Sequence, residues 1–340
     1  MFSCRIKYDL ISFFVLKLVD TEEQTQMIRR LIHTGLMILF LLQLAPKLAK
    51  GQMFPWSLQY VTNMNTINPA YVGMWDQAGF MFTTRTNWVG FPKTPLSQQV
   101  SWYSPIKDQK GSLGLNIKNM NIGREKQLFI TGDYAYQVRM DVTHYLRFGL
   151  RAGIVNFDNN MTDYQLYPDR IPDLEFSTDV RLFFMTTVGV GAVFFNDDYF
   201  ISLSMPQMIN NTFKVNRSTY SSTQEFKTAY LSGGYVFKLP KSLRIRPNLL
   251  VIGTVGKPVY FDAAAVVYLP GDLQLGINLR SNGEVCFSGQ YTLNNGLKIG
   301  YAADYALATD IRKYQLGTYE FVVGYEYNLY RKKYGKPSYF

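Results

Sequence analysis

The chain has 340 residues, with 35 Lys/Arg against 25 Asp/Glu, 16% aromatic residues and two cysteines. Two cysteines exclude a disulfide framework, so packing and hydrogen bonds must hold the fold. The basic charges are scattered along the chain rather than gathered on one module, which excludes a recognisable nucleic-acid surface.

In chain order, residues 1–26 precede Met27, Arg29 and Arg30, the apolar run 36–42, and the small-residue exit Ala49-Lys50-Gly51. A basic stretch, a short apolar run and a small-residue exit make a secretory signal peptide, here 27–51, cleaved near Gly51-Gln52. Residues 1–26 then read as a start assigned too early or a disordered leader. Only Phe13-Phe14-Val15-Leu16 speaks for a working cytoplasmic extension. Without residues 1–51 the formal charge is +7, and Cys286 and His144 are the sole cysteine and histidine. Residues 52–76 carry Asn63, Asn65, Asn68 and Pro69. This composition predicts an ordered but irregular N-terminal segment, able to serve as a plug.

From about residue 78 to Tyr330 one pattern repeats, within a barrel domain expected to span 77–340. Leu113, Leu115 and Ile117 alternate with Gly114, Asn116 and Lys118; Leu146, Phe148 and Leu150 alternate with Arg147, Gly149 and Arg151. Period two places one set on each face of a strand. Candidate strands fall at 78–88, 96–104, 111–122, 127–139, 145–157, 180–195, 198–206, 226–239, 243–256, 259–269, 272–281, 284–292, 296–306 and 317–330, separated by turns such as Pro270-Gly271 and Asn294-Asn295-Gly296. No amphipathic helix competes after Gln52.

The two faces differ in kind. One carries Arg85, Lys118, Asp133, Arg147, Arg151, Lys238, Arg244, Arg246, Arg280, Lys298, Asp304, Glu320 and Glu326. So many ionised groups cannot fill a dry sandwich core, but a wet or ion-paired lumen holds them. The other face is Leu, Ile, Val, Phe and Tyr, with Tyr134, Tyr136, Tyr235, Tyr301, Tyr305, Tyr325 and Tyr327 read as interfacial girdles. The expected fold is therefore all-β: a closed antiparallel transmembrane β-barrel of about 14 strands, outer-membrane type. The three longest connections, 158–179, 207–225 and 307–316, are the fifth, seventh and thirteenth. All are odd, as they must be if the chain starts in the periplasm and long loops lie outside. The closing aromatic, Phe340, is similar to the assembly signal of such barrels.

Catalytic chemistry finds little purchase. His144 falls in a short turn after Asp141, and Cys286 sits 142 residues away on an inward position. A metal site or nucleophilic pair would have to be built from these two alone. Gly189-Val190-Gly191 lies within a strand, so it reads as small residues where the barrel bends or a plug approaches, not as a phosphate loop.

One ordered series of motifs adds a family. Asn68-Pro69-Ala70-Tyr71-Val72-Gly73 is followed by Arg85-Thr86-Asn87-Trp88-Val89-Gly90-Phe91, Ser101-Trp102-Tyr103-Ser104-Pro105, Asp133-Tyr134-Ala135-Tyr136 and Ser204-Met205-Pro206-Gln207. Arg246-Pro247, Gly317-Thr318-Tyr319-Glu320 and Ser338-Tyr339-Phe340 continue it. This series resembles the PorP/SprF family of outer-membrane proteins of the type IX secretion system of Bacteroidetes, over essentially all of 52–340. Ser338 stands where the family usually has Arg. The resemblance implies a barrel in the Gram-negative outer membrane, in contact with its lipid, that anchors or partners secreted surface proteins bearing a sorting domain, other secretion components, or a periplasmic peptidoglycan-linked protein. In some members it implies a link to gliding motility. It implies no enzyme, no cofactor and no nucleic-acid partner. The motif residues Asn68, Pro69, Ala70, Tyr71, Gly73, Arg85, Trp88, Gly90 and Phe91 are expected to be structural or partner-binding. Asn68 to Tyr71 read as a rigid turn stowing the N-terminal segment against the barrel. Arg85 is expected to pair with Glu320 or Glu326 where first and last strands meet. The other reading is an outer-membrane porin or lipid transporter whose cationic lumen favours anions.

Overall fold

The computed structural model describes residues 57–74, 78–91, 93–106, 110–163, 179–209, 212–215, 218–221, 227–240, 242–307 and 316–327. The expected leader, signal peptide and C-terminal Phe340 lie outside the described residues.

Among the described residues seventeen strands run in chain order. The first seven are β1 (Ala78–Thr86), β2 (Leu96–Pro105), β3 (Gly111–Ile122), β4 (Glu125–Arg139), β5 (Tyr145–Asn159), β6 (Val180–Phe195) and β7 (Tyr199–Met205). The short β8 (Thr212–Val215), β9 (Ser218–Ser221) and β11 (Phe237–Lys238) stand around β10 (Thr228–Tyr235). The rest are β12 (Arg244–Thr254), β13 (Tyr260–Leu269), β14 (Leu273–Arg280), β15 (Glu284–Thr292), β16 (Leu297–Ala306) and β17 (Thr318–Tyr327).

Strands β1 to β7 pair in sequence; β7 then pairs with β10, β10 with β12, and the series runs on to β17. The last strand returns antiparallel to the first, from Ala78 opposite Tyr327 to Thr86 opposite Tyr319. Leaving aside β8–β9 and the β11 stub, the ring closes with fourteen members, in agreement with the predicted count and with no free edge in the ring. The hairpin β8–β9 forms a separate two-stranded sheet within the seventh connection. It was not expected, because two four-residue strands are too short to show alternation.

The outward set is apolar. Leu113, Leu115, Ile117, Leu150, Leu203, Ile277 and Phe287 are all exposed, while their sequence neighbours turn inward. Exposed Tyr136, Tyr235, Tyr291 and Tyr327 sit near the even-connection end of their strands, and Tyr305 near the other. The tyrosines gather at the even-connection end, while of the expected set only Tyr305 marks the other end and Tyr301 stands mid-strand. The wall is tallest across β4, β5 and β6, of 15, 15 and 16 residues. There the register of β5 against β6 shifts between Val155 and Phe157. The slack is taken up at Phe184, which adopts φ 59° and donates its N–H to Asn156 Oδ1.

Lys238 departs from the predicted inward set. The β10 ladder breaks at Val236, and Lys238 lies exposed at the rim, ion-paired with Asp198 of the turn between β6 and β7. A lysine stem at a strand end reaches the aqueous rim more cheaply than a charge can be buried.

Candidate functional site

Residues 57–74 run inside the ring. Their partners lie on β3, β5, β6, β7, β12, β13 and β17, positions that only a segment within the lumen can reach together. The segment has little regular structure: two single 3-10 turns, Met64–Thr66 and Pro69–Tyr71. Its backbone groups must therefore find partners elsewhere. The charged inward side chains of the wall supply them.

Carbonyls of the segment are taken by arginines. Arg147 Nε donates to Ala70 O at 2.8 Å, and its second guanidinium nitrogen to Val72 O and to Ser112 Oγ. Arg151 donates to Asn65 O at 2.9 Å while its fork grips both oxygens of Asp133 at 2.7 Å. Arg246, 1% exposed, donates to Val61 O at 2.6 Å, with its carbon centre 5.6 Å from the Tyr268 ring. Amides at the other end are taken by one carboxylate. Glu320 accepts from Leu58 N at 2.7 Å, Gln59 N at 3.1 Å and Ser57 Oγ at 2.7 Å. Cations on carbonyls and an anion on amides are the strong pairings, each charged hydrogen bond contributing about 1.5–3 kcal/mol.

The Asn68 turn is built as its sequence suggests. Asn68 Oδ1 accepts from Ala70 N at 2.8 Å, Pro69 supplies the first turn position, and Asn68 Nδ2 donates to Ala192 O and Ser202 Oγ on the wall. Glycines make room for it. A Cβ at Gly149 would lie 2.2 Å from Ala70 N, and one at Gly191 would lie 1.9 Å from Asn68 Oδ1. The second glycine of Gly189-Val190-Gly191 therefore marks the approach of this segment. Gly73 ends the turn with φ 60° against Ser112.

The lumen is also drier than the charge pattern predicts. Tyr60, Val61, Met64, Ile67, Ala70, Tyr71 and Met74 of the segment pack on Leu250 and Ile252 of β12 and on Tyr260, Ala264, Val266 and Tyr268 of β13. These inward residues are apolar because another piece of the chain, not water, faces them. Charge pairing fills the neighbouring strands. Asp262 accepts from Tyr60 Oη, Asn278 Nδ2 and Arg280 Nε; Arg280 also reaches Asp304 at 2.6 Å. Asp262 was absent from the predicted inward charges, since Phe261 and the alanines beside it blur the alternation of β13. Cys286 is buried on the inward face, as expected.

The expected Arg85 pair is not formed as such. Arg85 stands opposite Glu320 in register, but its Nε donates to Asn87 Oδ1 at 2.7 Å, and Glu320 is taken by the internal segment. Glu326 instead pairs with Lys298 at 2.6 Å and accepts from Tyr103 Oη. Trp88, Gly90 and Phe91 lie in the first connection, where Trp88 N donates to Thr318 Oγ1 and Val89 N to Gly317 O. The motif thus divides in two. Asn68 to Gly73 lie in the internal segment, and Arg85 to Phe91 lie at the end of β1 and in the first connection, where Trp88 and Val89 bond to Thr318 and Gly317 at the start of β17.

Two cavities flank the segment. One, of about 80 Å³, is lined by Tyr103, Arg246, Gln290, Lys298 and Glu326 toward the even-connection end. The other, of about 100 Å³, is lined by Arg85, Gln99, Asn116, Lys118, Arg151 and Glu320 toward the odd-connection end.

A closed barrel of even strand number, apolar outside and charged inside, is an outer-membrane β-barrel protein. The family model described as type IX secretion system membrane protein PorP/SprF matches residues 49–325, and the chain belongs to that family. Membership and barrel together point to a structural or transport role in the outer membrane. No curated protein matches the sequence. Among solved structures the chain is similar to a Pseudomonas aeruginosa FadL homologue, at 10% identity and TM-score 0.46 over 84% of this chain and 97% of that one. It is also similar to a deletion mutant of the monoaromatic hydrocarbon channel TodX, at 11% and 0.44 over 77% and 93%. A third is the Acinetobacter baumannii outer membrane protein Omp33, at 8% and 0.41 over 74% and 98%.

Proposed function

We propose that this protein is a type IX secretion component that holds its partners from a plugged barrel: secreted surface proteins on one side, periplasmic machinery on the other. The observation that supports this reading is the internal segment. Its backbone is gripped by Arg147, Arg151, Arg246 and Glu320, the charges an open pore would present to passing solutes. On this reading residues 27–51 are removed on export near Gly51-Gln52. Connections five, seven and thirteen face outward and hold the exported partner, and the short even turns meet a periplasmic, peptidoglycan-linked partner. The motif residues Asn68 to Gly73 and Arg85 to Phe91 are structural, keeping plug and seam in place. A gliding role follows if the partner is an adhesin.

The test is conductance together with capture. Purified protein in a planar bilayer is expected to be silent, whereas an open diffusion channel gives ohmic single-channel steps. Crosslinking in intact cells is expected to recover a secretion component or a surface protein with a sorting domain. Steady conductance with no such partner sinks the proposal and returns the porin reading.

A further inference from the structure

We infer that the internal segment enters the lumen from the side of the odd connections, so that the chain before Ser57 is presented there, beside the long connections, and not among the even turns. Calling that side the cell exterior rests on the proposed outward placement of the odd connections. The path can be followed because the two ends of every wall strand label the two sides. Ser57 Oγ, Leu58 N and Gln59 N all donate to Glu320, the third residue of β17 from its odd end. Leu58 packs on Cys286, the third residue of β15 from the same side. The first leg then runs toward the even end. Val61 O accepts from Arg246, the third residue of β12 from that end, and Val61 to Asn65 line the even-end cavity.

The second leg returns. Thr66 and Ile67 line the odd-end cavity, and Ile67 O accepts from Ser204, next to the last residue of β7 at its odd end. The third leg runs back to the even side. Ala70 O and Val72 O accept from Arg147, the third residue of β5 from that end, and Gly73 O accepts from Ser112, the second residue of β3. Strand β1 then starts on the even side at Ala78. A path of three legs has its two ends on opposite sides; two legs would have brought both to one. The space left inside is about 80 Å³ at one end and 100 Å³ at the other, room for a handful of waters and not for a returning piece of chain. The first strand therefore begins where a periplasmic start requires, but the residues before it have already crossed the lumen. Those just upstream include Phe54, Pro55 and Trp56, an apolar and aromatic run. On the proposed orientation they are a further contact for the exported partner, and one joined directly to the plug. A pull on them is delivered to the Glu320 hydrogen bonds.

The test is cysteine accessibility in intact cells, read with a membrane-impermeant maleimide. The parent, whose Cys286 is buried, is the blank. V255C marks the odd connection between β12 and β13, and V142C the even turn between β4 and β5; the two positions are 68% and 78% exposed. M53C reports the side of entry, and F54C replaces it if M53C is not assembled or residue 53 is removed by processing. M53C is expected to be labelled in whole cells to the extent that V255C is, whereas V142C is labelled only after permeabilisation. Labelling of M53C only in step with V142C overturns the inference. So does labelling only after denaturation, which puts residue 53 inside the lumen. If V142C and not V255C is labelled in whole cells, the outward placement of the odd connections falls, yet M53C must still follow V255C. The side of entry and the orientation of the barrel therefore fail separately.

Discussion

At the residue scale the decisive groups are those that touch the internal segment. Gly149 and Gly132 form a matched pair. A methyl at Gly149 meets the backbone of Pro69 and Ala70 within 2.2–2.6 Å, whereas one at Gly132 meets nothing closer than 3.9 Å. Gly149→Ala is expected to push the Asn68 turn off the wall and expose residues 57–74 to protease, and Gly132→Ala to leave the digest unchanged. Arg151→Met removes the fork that neutralises the buried Asp133 and should cost roughly 3–5 kcal/mol in urea unfolding, the range for breaking a buried pair. Asp141 lies in the exposed turn between β4 and β5, its carboxyl held down at about 2 by the N–H groups of Thr143 and His144. Its folded value lies below the unfolded one, so its contribution is complete above about pH 4 and disappears as pH falls through about 2. The amide resonances of Thr143 and His144 should shift together across that window in an acid titration, and D141A should abolish the transition.

At the scale of the element, outward and inward neighbours on one strand predict opposite outcomes. Leu115, near the middle of β3, faces lipid, so Leu115→Arg should cost roughly 2–4 kcal/mol when refolding into vesicles is measured against denaturant. A Cβ at Gly114, beside it, would lie 2.8 Å from Val72, so Gly114→Ala should act on the segment rather than on insertion. The strands themselves were legible because lipid on one side and charge on the other impose a clean period of two, as in β3 and β5. Legibility failed where that contrast failed. On β13 the inward Ala264 and Val266 are as apolar as the outward Ala265 and Val267, because the internal segment and not water covers them. Asp262 was lost in that run. The Asn68-Pro69 turn could be read locally, since its cap and its proline are neighbours in sequence. The fate of Glu320 could not: its partners are more than 260 residues away, and the register alone put Arg85 opposite it.

For the molecule as a whole, the segment and the wall share one set of polar groups. Deleting residues 57–74 would leave Arg147, Arg246 and Glu320 without the backbone groups that satisfy them, and would strip the apolar cover from Leu250, Ile252 and Val266. The deletion variant is therefore expected to conduct in a bilayer and also to unfold at lower denaturant than the parent. A channel that opened without any loss of stability would mean that the segment is a passenger rather than part of the lumen's packing.

Glu320 also bears on the closing of the barrel. It lies on β17, which pairs with β1 to close the ring, and it holds Ser57, Leu58 and Gln59. The final ladder and the docking of the earliest described residues thus meet at one carboxylate. Glu320→Gln is therefore expected to weaken ring closure and segment docking together, read as a parallel loss of seam stability and of protease protection at residues 57–74.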